Sequence, residues 1–466
     1  MQQYSTLIND FRLDEDPILR TEIAGIISDN RIKIVVIDDD PTGIQTMHGC
    51  LFLTKWDNDS LDFAMQNDSS VFYVLTNSRS TDAGFAEKVN NEIVSAVCDL
   101  NVRYKFRLIF VSRSDSTLRG HFPVEHAAIH KTLRNKNIKT PFPVFFIPSF
   151  FEAGRFTLNN IHYLKEHNNA LPVSESEFAK DNVFGYRNSH LGEYIIEKTD
   201  GSVSIHDIGF LSASALQNQA IETISENITA LTEKKYIAVN ATGYFDLQKF
   251  SLALLTVFPD NTALVMRTSS SLPKAISGKE NIPLLTKADL NITSGTGIFI
   301  VGSHVKKTTQ QLHELMKCDL LFAVEVDVEK TLYSFGSYLA EIKEKLNEAI
   351  LKGFTPVLYT SRLEIRLNNK TERLNLGQKI SEFLFTLIKD LEIQPSYVVT
   401  KGGITSHDVL TKGLEIESAE VAGQILTGVP TVRTASTHRF PNLPVIIFPG
   451  NVGDAYALKD LYLKLR

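Results

Sequence analysis

The run Ile32-Lys33-Ile34-Val35-Val36-Ile37, closing on Asp38-Asp39-Asp40-Pro41-Thr42-Gly43, decides how the chain is read. A short apolar stretch rich in β-branched residues and ended by Pro and Gly reads as a buried strand. Its polar closing residues then stand at the carboxyl end of that strand. In open α/β sheets this is the edge where ligands bind.

The same pattern recurs along the chain. Val71 to Leu75 closes on Thr76-Asn77-Ser78-Arg79, Leu108 to Val111 on Ser112-Arg113-Ser114-Asp115, Val144 to Ile147 on Pro148-Ser149, and Tyr236 to Val239 on Asn240-Ala241. Amphipathic stretches of helical spacing lie between them, which predicts βαβ units and parallel sheet. Residues 273–297 lack periodicity and hold two Pro and three Gly, so a domain boundary is placed there. A second set follows: Ile298 to Val301 closing on Gly302-Ser303, Pro356 to Tyr359 on Thr360-Ser361, Tyr397 to Val399 on Thr400-Lys401-Gly402-Gly403, and Val445 to Phe448 on Pro449-Gly450-Asn451-Val452-Gly453. The expected architecture is two α/β domains, 1–285 and 286–466, with mainly parallel sheets flanked by helices and an active site in the cleft between them. Leu339, Ile342, Leu346 and Ile350 step by three and four toward Gly353, a C′ glycine. The last helix is expected to start at Asp454 as N-cap and to turn Ala455, Leu458, Leu461 and Leu465 inward.

Composition narrows the function classes. The 466 residues are 43% apolar and 22% charged, globular proportions that exclude disorder, collagen and coiled coil. With 48 basic against 54 acidic side chains the net charge is −6, so the broad positive field that non-specific nucleic-acid binding relies on is missing. Three widely spaced cysteines, Cys50, Cys98 and Cys318, make neither a disulfide framework nor a thiolate zinc site and suit a reducing cytoplasm. No apolar run approaches a membrane span, and the start, MQQYSTLINDFRLDED, is acidic where a secretory signal would be basic and then apolar. The expectation is a soluble, untargeted protein with neither nucleic acid nor membrane as partner.

Three carboxylates in a row at the end of a buried strand repel one another. A fold keeps them where a cation, a donor set or a proton-transfer task offsets the repulsion. Asp38, Asp39 and Asp40 therefore lead the candidates, ahead of the plainer reading in which one caps a helix and the others face water. The loop Ser112-Arg113-Ser114-Asp115-Ser116-Thr117-Leu118-Arg119-Gly120-His121 sets two guanidiniums, a carboxylate and several hydroxyls directly after a strand. Such a loop suits a polyhydroxylated anion, because Arg grips carboxylates in bidentate fashion while Ser and Asp exchange hydrogen bonds with hydroxyls. Ser78-Arg79 on the neighbouring strand end adds a third Arg, and Gly154-Arg155 extends the same pocket more weakly. A surface salt-bridge network is the alternative for any one of these arginines.

In the second half the strand ends are glycine-rich and nearly free of acid. Glycines that let a phosphate approach the N–H groups of a helix start make an anion cradle, and three such turns on one sheet suggest a nucleotide. Neither a P-loop nor a dinucleotide-binding glycine motif occurs. His126 and His130, four apart after Glu125, lack a third metal ligand and read as a solvated helix face. His121 and His407 read as local hydrogen-bonders, and Arg267 and Ser269-Ser270-Ser271 stay ambiguous between cleft and scaffold.

Acids and arginines in one half and phosphate-type turns in the other point to a two-domain phosphotransferase, one half holding an anionic polyol and the other a nucleotide. A competing reading is a haloacid-dehalogenase-like phosphatase, since Asp38-Asp39-Asp40-Pro41-Thr42 satisfies D-x-D-x-T with Asp38 as nucleophile, Asp40 as acid/base and Mg²⁺. A ligand-binding protein without catalysis ranks third, because it leaves the clustered acids unexplained.

Asp39-Asp40-Pro41-Thr42-Gly43, Ser78-Arg79, Asp115-Ser116-Thr117-Leu118-Arg119-Gly120, Gly302-Ser303 and Gly402-Gly403-Ile404-Thr405 resemble the four-carbon acid sugar kinase family, over about residues 33 to 458. The resemblance implies an N-terminal sugar-acid-binding domain, a C-terminal nucleotide-binding domain, and ATP-dependent phosphorylation of the terminal hydroxyl of threonate, erythronate or 3-oxo-tetronate. It implies that Ser303, Gly402, Gly403, Ile404, Thr405 and Gly450 contact ATP, while Asp39-Asp40 and Asp115 to Arg119, Ser116 included, face the acid sugar. Asp39 or Asp40 is then the catalytic group. Ser78, Arg79, Arg113, Asp115 and Arg119 are substrate-binding candidates, and Mg²⁺ travels with the nucleotide. The chain departs from the family in its third Asp and in Pro449-Gly450-Asn451-Val452-Gly453, where many members carry Lys-Ser-Gly-Gly-Phe-Gly. Subunit number is left open, a homodimer included.

Overall fold

In a computed structural model, which describes residue 11 and residues 13–166, 169–293, 295–303, 305–361, 370–450 and 452–466, the opening run forms β1 (Ile32–Asp38), buried at every position. Asn451 and the first ten residues of the chain lie outside the described residues. The chain divides into two units, 1–281 and 282–466.

In the first unit β1 is followed by β2 (Leu51–Leu53), β3 (Val71–Leu75), β4 (Arg107–Arg113), β5 (Val144–Ile147), β6 (Arg155–Leu158), β7 (Ile161–Glu166), β8 (Asn169–Pro172), β9 (Ile208–Leu211), β10 (Tyr236–Val239) and β11 (Ala263–Thr268). The order β2-β3-β1-β4-β11-β5-β10-β9 is parallel throughout, and β6, β7 and β8 form a small antiparallel sheet of their own. From β1 the chain fills one side with β2 and β3, then crosses to the other with β4. The strand order therefore reverses between β1 and β4, the switch point outside whose carboxyl ends open α/β sheets bind their ligands. Val35 and Ile37 pack with Phe72, Val74, Phe110 and Val265 beneath Leu61, Ile93 and Val97 of two helices. Each such buried side chain contributes roughly 1.5–3 kcal/mol. Lys33 interrupts the apolar run, yet its ammonium leaves the core to donate to the carbonyls of Asn67 and Ser69 at 2.6 and 2.8 Å.

The second unit holds β12 (Ile298–Val301), β13 (Leu321–Val326), β14 (Thr355–Thr360), β15 (Val398–Lys401), β16 (Ser418–Leu426), β17 (Val429–Thr434) and β18 (Pro444–Phe448). Its order is β13-β14-β12-β15-β18-β17-β16, parallel as far as β18, with β17 and β16 antiparallel. Here the reversal falls between β12 and β15. The helix Phe335–Leu351 buries Tyr338, Ile342, Leu346 and Ile350, and Gly353 follows it with φ +80°. The last helix runs Ala457–Leu465 with Leu458, Leu461 and Leu465 buried. It starts later than expected because Asp454 closes a turn of its own, accepting from the Tyr456 N–H at 2.9 Å, and Ala455 is only half-buried.

Candidate functional site

At the reversal in the first unit, Asp38 lies level with Leu75 of β3 and Arg113 of β4, and Arg113 lies level with Thr268 of β11. The next residues leave the sheet together, with the Asp39 N–H donating to the Arg113 carbonyl and the Arg79 N–H to the Asp39 carbonyl. Parallel register thus gathers the acidic turn and the arginine ends into one cluster.

The three aspartates have different surroundings. Asp38 is fully buried; its Oδ1 accepts from Arg113 at 3.1 Å, and its Oδ2 has no hydrogen-bond partner among the described residues. Burial pushes its carboxyl up to about 7, against the pull of Arg113 and with help from Asp39 and Asp40. A Cβ on Gly43 would stand 1.8 Å from Asp38 Oδ2, so only glycine lets the turn close over it. Asp40 is held as an anion: burial opposes its charge, but Arg79, Arg113 and two hydrogen bonds from Thr42 keep it below the usual carboxylate range. Burial raises Asp39, although Arg79 and Arg113 oppose the rise. Its Oδ2 meets Ser114 Oγ at 2.7 Å, while Oδ1 lies 3.5 Å from Arg113 and 3.9 Å from Arg79 without a hydrogen bond.

Asp38 also gives a pH signature. Its folded pKa lies above the usual 3.8, so the folded state keeps a proton that the unfolded chain releases between about pH 4 and 7. Stability contributed at this position therefore falls as pH rises through that window. Asp38→Asn is expected to gain on the native chain by up to a few kcal/mol between pH 5 and 8. Urea unfolding at both pH values measures it, and a constant gap would show that Asp38 ionises normally.

The arginines are already engaged with acids. Arg79 pairs with Asp40 and reaches Asp39 and Asp115 at 3.9 Å each, and Arg113 pairs with Asp38 and donates to Ser270 Oγ. Arg119 bonds Asp115 at 2.6 Å, approaches Asp181 at 3.5 Å and lies over the Phe178 ring. Beneath them Arg267, which the sequence left ambiguous, is buried and ion-paired with the buried Glu125, with Ser78 donating to Glu125 and Arg267 donating to Ser112. Ser78 is thus a buried support for Glu125. The solvated-face reading of His126 and His130 fails: His126 is buried against Tyr236 Oη at 2.8 Å, and burial holds its imidazole well below the usual range.

The loop after β4 is held from outside itself. Ser116, Thr117 and Leu118 each offer a carbonyl to a different buried side chain: His162 Nε2 at 2.8 Å, Tyr186 Oη at 2.7 Å and Tyr194 Oη at 2.7 Å. Arg119 offers its carbonyl to Ser114 Oγ at 2.9 Å. Since a carbonyl only accepts, His162 carries its proton on Nε2, and Nδ1 accepts from Thr157 Oγ1. Sequence reasoning missed these side chains because they lie 40 or more residues away and titrate nowhere near neutrality.

In the second unit Val301 and Lys401 lie level across the reversal between β12 and β15. The turns that follow press together: a Cβ on Gly302 would stand 2.2 Å from Thr405 Oγ1, and Gly402, with φ +108°, would carry one 3.2 Å from the Ser303 Cβ. The Gly402 N–H donates to the Phe448 carbonyl, and the helix beginning at Gly403 leaves its first N–H groups without intrahelical acceptors. Ile404 is exposed and Thr405 buried. The turn after β18 is fixed from below by Lys401, whose ammonium donates to Pro449 O at 2.6 Å, and by Gln311, which donates to the carbonyls of Val452 and Asp454. Gly450 is half-buried, and a Cβ at this position would meet nothing within 4 Å, so space is open beside it.

Two α/β units, each with its polar or glycine-rich turns gathered at a strand-order reversal, match two family descriptions. Residues 34–276 match the sugar-binding N-terminal domain and residues 298–458 the nucleotide-binding C-terminal domain. The chain belongs to the four-carbon acid sugar kinase family. Among solved structures it is similar to Haemophilus influenzae protein HI1011, of the DUF1537 family, at 16% identity and TM-score 0.65 over 93% of this chain and 100% of that one. A Salmonella typhimurium LT2 protein solved under the name of a tRNA synthase is similar at 17% identity and TM-score 0.67, over 93% and 98% of the two chains. At these identities the likeness concerns the fold. No curated protein matches the chain. Among the described residues no helix is long and apolar enough to cross a membrane.

Proposed function

We propose that the protein is an ATP-dependent kinase that phosphorylates the terminal O4 hydroxyl of a four-carbon sugar acid such as D-threonate, D-erythronate or 3-oxo-tetronate. The observation that supports this reading is the pairing of site chemistry with domain: the carboxylate-rich crevice belongs to the unit that matches a sugar-binding domain, and the glycine turns belong to the unit that matches a nucleotide-binding domain. Phosphoryl transfer asks mainly for positioning and charge neutralisation, which these two surfaces offer to acceptor and donor.

In this reading Asp39 accepts the proton of the O4 hydroxyl. It is the carboxylate whose basicity burial raises and whose Oδ1 carries no hydrogen bond, whereas Asp40 is committed to Arg79 and Thr42. Ser303, Gly402 to Thr405 and Gly450 take the nucleotide. Mg²⁺ brought with the phosphates would supply charge neutralisation at the transferred group, next to the turns at Ser303, Gly402 to Thr405 and Gly450. Among the described residues no three His, Cys, Asp or Glu side chains are grouped to hold a metal ion.

The phosphatase alternative is disfavoured by the position of Asp38. A nucleophile needs an open approach, and the Gly43 turn closes directly over the free oxygen of this carboxylate, where a Cβ would stand 1.8 Å away; the reading also leaves a nucleotide-binding second unit without a role. The deciding experiment incubates a panel of tetronates with ATP and Mg²⁺ and follows ADP release. ADP release with at least one four-carbon acid is expected, and silence across the panel would end the four-carbon assignment.

A further inference from the structure

The loop Ser114 to Gly120 poses a problem of charge. Arg79, Arg113, Arg119 and Arg267 face Asp38, Asp39, Asp40, Asp115, Asp181 and Glu125, so these four guanidiniums are neutralised before any substrate arrives, while Arg155 is buried nearby with no carboxylate within 4 Å among the described residues. An acid entering this crevice needs donors that carry no acid of their own.

Backbone geometry supplies them. In a trans peptide the carbonyl of one residue and the N–H of the next point in opposite directions, and among the described residues the only cis bond is Phe122-Pro123. His162, Tyr186, Tyr194 and Ser114 draw the carbonyls of Ser116, Thr117, Leu118 and Arg119 toward themselves. The N–H groups of Thr117, Leu118, Arg119 and Gly120 are therefore turned away from those holders. Leu118 closes its N–H on the Asp115 carbonyl at 3.1 Å. Those of Thr117, Arg119 and Gly120 meet no acceptor among the described residues, although Thr117 and Gly120 are buried. An unpaired buried N–H is costly enough to be rare, and two of them, at Thr117 and Gly120, with the half-buried Arg119 N–H between them, mark a place that awaits an anion. The turn needs unusual backbone to do this: Leu118 has φ +64° and Gly120 φ +133°. A Cβ at Gly120 would stand 2.3 Å from Ser114 Oγ and 2.8 Å from Arg267 Nη2.

The three ring side chains come from one excursion of the chain that includes β6 to β8 and the helix Leu191–Lys198. Tyr186 and Tyr194 contact each other edge to face with ring centres 5.5 Å apart, in the same apolar cluster as Leu118. Their holding side is thus packed and dry.

We infer that the N–H groups of Thr117, Arg119 and Gly120 form the receptor for the carboxylate of the sugar acid, and that His162, Tyr186 and Tyr194 are positioning residues that keep this receptor open. The inference rests on the sugar-acid reading above and adds the atoms that recognise the acid and the side chains that aim them. Arg79, Arg113 and Arg119 then orient Asp39, Asp40 and Asp115, and specificity for an acid over a neutral polyol comes from backbone rather than from these three arginines.

The test uses the full chain and its Tyr186→Phe, Tyr194→Phe, His162→Gln and His162→Ala variants. Steady-state KM is measured for the responding tetronate and for ATP, threonate binding is measured by calorimetry, and the preference for threonate over the uncharged tetritol is compared. Each Tyr→Phe change is expected to raise the acid KM about three- to tenfold, to lower the acid-over-tetritol preference, and to leave the ATP KM within about twofold. His162→Gln, whose amide can still donate to the Ser116 carbonyl, is expected to retain more acid affinity than His162→Ala. If the Tyr variants melt earlier but keep the native acid KM and preference, the clamp is structural only and the inference is overturned. If the unmodified chain binds no tetronate at all, the sugar-acid reading fails with it, a result that calorimetry separates from the first.

Discussion

Asp39→Asn lowers kcat on the responding sugar acid by about 10²–10⁴-fold, the usual contribution of a positioned general base, while Asp40→Asn costs less than tenfold in kcat and raises the acid KM. The reason lies in what each carboxylate already holds. Asp40 receives Arg79 and two donors from Thr42, and with its basicity lowered it is a poor proton acceptor. Asp39 combines raised basicity with an Oδ1 that no donor occupies. Its rise also fixes the sign of the pH dependence: activity grows with pH as Asp39 loses its proton, along a limb displaced above the ordinary carboxylate range, and Asp39→Asn removes that limb. Initial rates at saturating ATP from pH 5 to 9 measure both effects. A variant lacking Asp39 that retained its kcat, beside an Asp40 variant that lost it, would exchange the two roles.

Arg267→Met is expected to destabilise the fold by about 3–5 kcal/mol, the cost of leaving a buried carboxylate without its partner. Arg267 and Glu125 are each 3% exposed, and apart from Arg267 the hydrogen-bonding support of Glu125 is Ser78. Replacing both, as Glu125→Leu with Arg267→Met, removes the stranded charge together with the pair and is expected to recover a large part of the loss. Urea midpoints of the two singles and the double at pH 7 close the cycle. Additive losses would mean that the pair does not act as a unit. The kinetic consequence runs the same way: Asp39 feels both groups, Glu125 raising and Arg267 lowering it, so Arg267→Met should shift the activity limb further up.

The parts of the fold that were legible in the sequence are those written in local pattern. β3, β5, β10, β12 and β18 are uninterrupted apolar runs that end in small or polar residues, β1 is broken only by Lys33, and strands buried on both faces need no more signal than that. β13 escaped because, at the edge of its sheet, it exposes Phe322, Ala323 and Glu325 and carries no clean run. The antiparallel pair β16 and β17 escaped because bulges near Gly423 and Leu426 break its alternation. The acids and arginines of the first crevice were visible because they cluster in sequence as well as in space. Glu125, Arg267, His162, Tyr186 and Tyr194 were not, since only the parallel register and the 155–198 excursion carry them to the loop, and nothing local announces a phenol that will meet a carbonyl 69 or 76 residues away. The starting point of the last helix was misjudged for a related reason: Asp454 has the chemistry of a cap and uses it on a separate turn.

Ser114 has one hydrogen and two neighbours that want it, Asp39 Oδ2 at 2.7 Å and the Arg119 carbonyl at 2.9 Å. While Asp39 is an anion the hydroxyl turns toward it, and the fourth fastening of the loop is slack. Once Asp39 has captured a proton it becomes the giver, the serine swings its hydrogen to Arg119, and the loop is cinched. A proton-controlled switch of this kind would let the carboxyl proposed as the base report its own state to the backbone proposed to hold the acid, with no moving part larger than a hydroxyl rotor.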